Sequence, residues 1–134
     1  MPWELDNDRP IYLQLMERIR HDIISGVYRP GDKIPSVRDL ALDAAVNPNT
    51  MQKALAELER SGLLYSQRTS GRYITDDEKL LRKMKMELAS EHIHQFFEQM
   101  HHLGFSDDET LEMIHETLRS FLYNSNIGNP MKGG

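Results

Sequence analysis

Between Ser36 and Gly62 two helix signals stand three residues apart. Ser36-Val37-Arg38-Asp39 reads as a capping box, with a hydroxyl to hold the free N–H groups of a first turn and Asp39 in the acidic position. Val37, Leu40 and Ala41 give this helix an inner face, and it is expected to end near Ala44. Asn47-Pro48 then announces a second helix, Asn as the N-cap and Pro at the first helical position. Met51, Leu55 and Leu58 form its buried stripe, and Ser61-Gly62 ends it.

The flanks complete the pattern. Upstream, Ile11, Leu15, Ile19 and Ile23 recur every four residues, widened by Met16 and Ile24, which predicts a helix from about Pro10 to Ser25 with Gly26 as the stop. Val27-Tyr28-Arg29-Pro30-Gly31-Asp32-Lys33 is a Pro-Gly loop. Downstream, Leu63–Ser66 and Tyr73–Thr75 read as two short strands joined by the polar tip Gln67-Arg68-Thr69-Ser70-Gly71-Arg72. Helix, helix, three-residue turn, helix, hairpin is the order of a winged helix-turn-helix, a mainly α fold with a small β element.

Charge divides the chain in two. Residues 1–75 carry ten Lys+Arg and ten Asp+Glu, while residues 76–134 carry six and eleven, so the whole net charge of −5 lies in the second part. Asp76-Asp77-Glu78 suits the start of a long helix, where the dipole favours negative charge. That helix is expected to reach about Leu103, with Gly104 closing it. Ser106-Asp107-Asp108-Glu109 is a second capping box opening a last helix. The expected organisation is a winged domain over 1–75, a two-helix segment over 76–123 and a polar, flexible tail over 124–134.

No apolar run approaches the roughly 18 residues of a membrane span, and the N-terminus lacks the layout of a signal peptide. There is no cysteine, so no disulfide framework or thiolate metal site is available. These features favour the cytoplasm. His92, His94, His101 and His102 contain no pair four residues apart on one helix face, so no metal is expected, and no cofactor either. A Gly-rich phosphate loop, a nucleophile elbow and a convincing Ser/His/Asp set are all missing, which argues against an enzyme.

Three segments carry candidate chemistry. Arg38 sits beside the free N–H groups at a positive helix end opened by Ser36, a place for a phosphate or a base edge. The next helix begins with Asn47, Asn49, Thr50, Gln52 and Lys53, all able to hydrogen-bond bases or phosphates, and no acidic residue lies between Asp43 and Glu57. The hairpin tip places Arg68 and Arg72 around Ser70 and Gly71, two cations flanking small residues. Taken singly, each segment also fits an ordinary surface helix or a solvated turn.

The two C-terminal helices cannot close a core of their own. Leu81, Met84, Leu88, Phe96, Phe97 and Met100, with Leu111, Ile114, Leu118 and Phe121, are therefore expected to serve an interface, with a small-molecule pocket between subunits as the weaker reading.

At this point the residues resemble a known family. Pro10-Ile-Tyr-Leu-Gln-Leu, then Ile23 to Ala41 with Arg29-Pro-Gly-Asp-Lys-Ile-Pro-Ser-Val-Arg-Asp-Leu-Ala, then Val46-Asn-Pro-Asn-Thr-Met-Gln-Lys-Ala-Leu-Ala-Glu-Leu-Glu-Arg-Ser-Gly, resemble the GntR family of bacterial regulators over about residues 10–75. The short C-terminal part looks like the YtrA-type subfamily. The resemblance implies a homodimeric repressor that binds double-stranded operator DNA, often of an operon for an ABC transporter. It implies DNA contacts from Ser36, Arg38, Asn47, Asn49, Thr50, Gln52 and Lys53, and at the wing from Arg68, Ser70 and Gly71. Two departures stand out. Ala45 occupies a turn position that is often Gly, and Thr69 replaces the first Gly of the usual wing tip. The rival readings are an effector- or metal-gated sensor using the C-terminal helices, and a winged-helix module for protein contacts.

Overall fold

Leu15, Ile19 and Ile23 put one buried side chain on nearly every turn of helix α1 (Ile11–Ile24). The computed structural model describes residues 3–128. Helix α2 (Val37–Ala44) buries Leu40, Ala41 and Ala44, and helix α3 (Pro48–Arg60) buries Met51, Ala54, Leu55 and Leu58. A two-stranded antiparallel hairpin follows, β1 (Leu64–Gln67) and β2 (Gly71–Ile74), with Leu64 opposite Ile74 and Gln67 opposite Gly71. Leu63, Leu64 and Ile74 close the core beneath α3. Truncating a fully enclosed side chain such as Leu55 to alanine costs about 2–5 kcal/mol.

Four helix ends share one device. In α2 the Val46 N–H reaches Ala41 O at 3.0 Å and the Ala45 N–H reaches Leu42 O at 3.2 Å. This crossed pair ends the helix with one residue in the left-handed region. The same pair closes α1, α3 and a later helix ending at His102, where Gly26, Gly62 and Gly104 supply the positive φ. At the turn between α2 and α3 an alanine does it: Ala45 has φ 60° and ψ 48°. The departure noted in the sequence thus keeps the turn geometry and places the strain on a Cβ.

The hairpin is tied to the loop before α2. Gly31 N–H donates to Ile74 O at 2.9 Å, Ile74 N–H to Asp32 O at 2.8 Å, and Ile34 N–H to Arg72 O at 3.0 Å. Lys33 forms a bridge with Tyr73, so residues 31–34 act as a short third strand along β2.

Residues before α1 are also docked. Trp3 is buried, its indole N–H donates to Asp43 Oδ2 at 3.1 Å, and the Arg18 guanidinium lies 4.8 Å from its ring centroid. The buried Gln14 amide accepts from Asp6 N–H at 2.7 Å and donates to Asp6 O at 2.7 Å.

Helix α4 (Glu78–His102) is capped by Asp77, whose Oδ1 accepts from the N–H groups of Lys79 and Leu80. The chain divides into two compact units, Met1–Glu87 and Leu88–Gly134, with the boundary inside α4. The first unit runs past residue 75 because Leu81 and Met84 pack against the winged core, and a Cβ on Gly62 would lie 3.2 Å from Leu80 Cδ2. In the second unit, helix α5 (Asp107–Gly128) opens on a complete capping box. Ser106 N–H donates to Glu109 Oε1 at 3.0 Å and Glu109 N–H donates to Ser106 Oγ at 3.2 Å. Helix α5 continues through Gly128, so the segment expected as a tail begins inside it, and residues 129–134 lie outside the described residues.

Candidate nucleic-acid interface

The start of α3 is set by Asn47, whose side-chain oxygen accepts from Asn49 N–H at 2.8 Å. That oxygen therefore serves the helix, leaving the side-chain NH2 as the free part of Asn47. Asn49, Gln52 and Lys53 follow at the i, i+3, i+4 spacing of one helix face, and all three are exposed. Thr50 is half-buried. Lys53 Nζ lies 3.9 Å from the Tyr12 ring centroid, a cation–π contact that restrains the ammonium without neutralising it.

The start of α2 is set by Ser36, whose hydroxyl accepts from Asp39 N–H at 3.1 Å. Only this half of the capping box appears among the described hydrogen bonds; the aspartate is one methylene shorter than the glutamate of the complete box at Ser106. Arg38 is exposed and makes no ion pair among the described residues.

The wing lies beside α2. Ser36 and Val37 line the same open hollow of about 660 Å³ as Lys33, Ser70, Gly71 and Arg72. The register makes Arg68, Thr69 and Ser70 the tip, with Gly71 at φ 115°. Arg68 is exposed, and Ser70 shares a 2.8 Å hydrogen bond with the Tyr73 hydroxyl.

Arg72 departs from the picture of a free cation. Its Nε donates to Glu59 Oε1 at 3.1 Å, and its side chain is only 18% exposed. Ser66 Oγ donates to the same oxygen at 2.8 Å. The Ser66 hydroxyl and then the Arg72 guanidinium hold the Glu59 carboxyl below the usual carboxylate range, against an opposing push from burial. Glu59 thus links α3 to both strands of the hairpin.

Sequence reasoning did not place Lys33 on the wing hollow or Glu59 against Arg72. Lys33 sits in a loop that reads only as a Pro-Gly connection. Glu59 follows the buried Leu58 and looks like one more solvated helix charge.

The residues expected at an interface divide. Leu81 and Met84 pack on their own winged domain. In the second unit, Phe96, Leu111, Leu118 and Phe121 are exposed, whereas Leu88, Phe97, Met100 and Ile114 are half-buried. His94 and His101 share a face and line a hollow of about 400 Å³ with Ile93, Phe97, Asp107 and Leu111. His101 Nε2 lies 2.5 Å from Asp107 Oδ1. Among the described residues no group of three or more His, Asp or Glu converges to hold a metal, and no helix is long and apolar enough to cross a membrane.

A helix whose start carries amide, hydroxyl and ammonium groups, joined by a tight turn to a second capped helix and flanked by a basic-tipped hairpin, defines a winged helix-turn-helix DNA-binding regulator. Comparison with known proteins narrows the class. Residues 11–74 match the family described as bacterial regulatory proteins, gntR family. The chain is 36% identical over 126 residues to the HTH-type transcriptional repressor YtrA of Bacillus subtilis, covering 93% of this chain and 89% of that protein. It is 36% identical over 111 residues to the HTH-type transcriptional regulator YhcF of the same organism, covering 83% of this chain and 92% of YhcF. A GntR family transcriptional regulator from Listeria monocytogenes superposes with a TM-score of 0.76 at 34% identity, covering 84% of this chain and 98% of that one. The chain belongs to the GntR family and is a regulator of the YtrA type.

Proposed function

We propose that this protein is a homodimeric repressor that binds a two-fold operator in the cytoplasm and acts by occupying promoter DNA, in an operon such as one for an ABC transporter. The carrying observation is the acid-free start of α3: Asn49, Gln52 and Lys53 stand together, exposed, before Glu57 is reached, while the helix buries its opposite side. In this reading Asn49, Thr50 and Gln52 read bases, Asn and Gln being suited to adenine. Lys53, Arg38 and Arg68 contact phosphate or base edges, while Ser36, Asn47, Ser70 and Gly71 shape the backbone around them. The name of the B. subtilis relative, a transcriptional repressor, supports the direction of control. The exposed Leu118, Phe121 and Leu122 of α5 support a second copy as the cover for the second unit, since side chains of this size favour removal from water. Two winged domains would then meet half-sites about 34 Å apart.

The test is electrophoretic retardation of DNA from upstream of the protein's own gene, with scrambled DNA as control, at rising salt. Preferential retardation that weakens steeply with salt supports the reading. Equal retardation of both DNAs counts against an operator there.

A further inference from the structure

The wing raises a question of charge. Arg68 and Arg72 both looked like cations for DNA, yet Arg72 is engaged by Glu59 and largely covered. A different cation occupies the free position. Lys33 is exposed, makes no ion pair among the described residues, and lines the hollow shared by Ser36 of α2 and Ser70 and Gly71 of the wing. Asp39 is the carboxylate on that hollow, and it forms no ion pair with Lys33 either.

The root of Lys33 is fixed. The bridge to Tyr73 and the Ile34 N–H bond to Arg72 O at 3.0 Å hold its backbone along β2, three residues before the Ser36 cap. Its stem is also placed: a Cβ on Gly71 would lie 3.2 Å from Lys33 Cε. The side chain therefore crosses the wing where Gly71 leaves room for it. A lysine with an anchored backbone and a guided stem loses less freedom on meeting a phosphate than one on an open surface.

We propose that Lys33 is the cation offered to DNA phosphate at the base of the wing, and that Arg72 is a positioning residue that holds the wing against α3 through Glu59. The assignment rests on the operator-binding reading above. Gly71 itself is required by its φ of 115°, and the end of the Lys33 side chain lies over it.

The test is the salt dependence of operator affinity for the wild type and the K33Q, R72Q, E59Q and E59Q/R72Q variants. Loss of one phosphate contact in K33Q lowers the log–log slope by about 0.9, so between 50 and 200 mM salt the wild type should lose about 3.5-fold more affinity than K33Q. K33Q should weaken operator and scrambled DNA alike. R72Q should raise the Kd at an unchanged slope, and E59Q/R72Q should bind no worse than the weaker single variant, because the two side chains act as one link. A K33Q slope equal to the wild type's overturns the assignment while leaving operator binding intact. So does a slope that flattens in R72Q, or additive losses in the double variant. Absence of DNA binding by the wild type overturns the operator reading and this assignment together.

Discussion

Replacing Ala45 by glycine should stabilise the winged domain by about 1 kcal/mol. Ala45 is the non-glycine residue with positive φ among the described residues, at φ 60° and ψ 48°, where its Cβ crowds the following carbonyl. That crowding costs roughly 1–2 kcal/mol per residue. Removing the methyl frees the unfolded chain and returns about 0.4–1 kcal/mol to the other side. Ala45 is exposed, so little apolar burial is lost. The net gain corresponds to a rise in Tm of roughly 4–8 °C per kcal/mol for a unit of this size. The assay is built in: Trp3 is the single tryptophan of the chain, it is buried in the first unit, and its indole bonds to Asp43 of α2. Its fluorescence during heating therefore reports on the winged domain. Ala45→Val is the matching control, because a β-branched side chain tolerates the left-handed region worst, and its Tm should fall. An Ala45→Gly Tm at or below that of the wild type, together with an unaffected Ala45→Val, would refute the claim that residue 45 carries the strain of this turn.

Other perturbations probe the remaining features. Asn47→Ala should cost about 1 kcal/mol of stability by removing the α3 cap, measured by urea unfolding of the Trp3 signal. Arg38→Ala should weaken operator binding by about 1–3 kcal/mol if the guanidinium meets a base; an unchanged Kd in a retardation titration removes Arg38 from base readout. Glu59 titrates lower in the folded chain than in the unfolded one, so its contribution is present above the usual carboxylate range and is lost as pH falls through the depressed value. Glu59→Gln should accordingly lose less stability than the wild type as pH falls from neutral to well below the usual carboxylate range of about 4, and equal losses would show that the Ser66–Glu59–Arg72 link does not form in solution. Leu118→Lys with Phe121→Lys should convert the proposed dimer to a monomer in sedimentation equilibrium while the Trp3 melt persists, since both side chains are exposed in the single chain; a wild-type monomer would refute the dimer, and a variant that stays dimeric would refute α5 as its contact.

Much of the fold was legible because periodicity and capping act within a few residues. The stripes of Leu15, Ile19 and Ile23 and of Met51, Leu55 and Leu58 are buried as their spacing required. Ser36, Asn47 and Ser106 cap the helices they announced. Long-range partners were not legible. Nothing in the spacing says that Trp3 reaches Asp43, that Arg72 meets Glu59, or that Leu81 and Met84 belong to the winged core, because these contacts are made by the tertiary fold. The same limit applies to the candidate interface. Residue types at the start of α3 suggested its chemistry, but which side-chain atoms remain free depended on caps and ion pairs that only the fold reveals.

The near contact of Lys33 with Gly71 has a consequence for how sequences of this type vary. Position 71 is constrained by its positive φ, whereas the Lys33 Cε that would lie 3.2 Å from a Cβ there is the far end of a flexible, exposed side chain and can give way. Where a related chain carries a short side chain at the position of Lys33, that near contact disappears and the backbone requirement stays. The φ of 115° remains, well outside the left-handed helical region that asparagine tolerates, so the glycine is still required. Across relatives the position of Lys33 is therefore expected to vary while the wing glycine is retained, because the turn and not the neighbouring cation demands it.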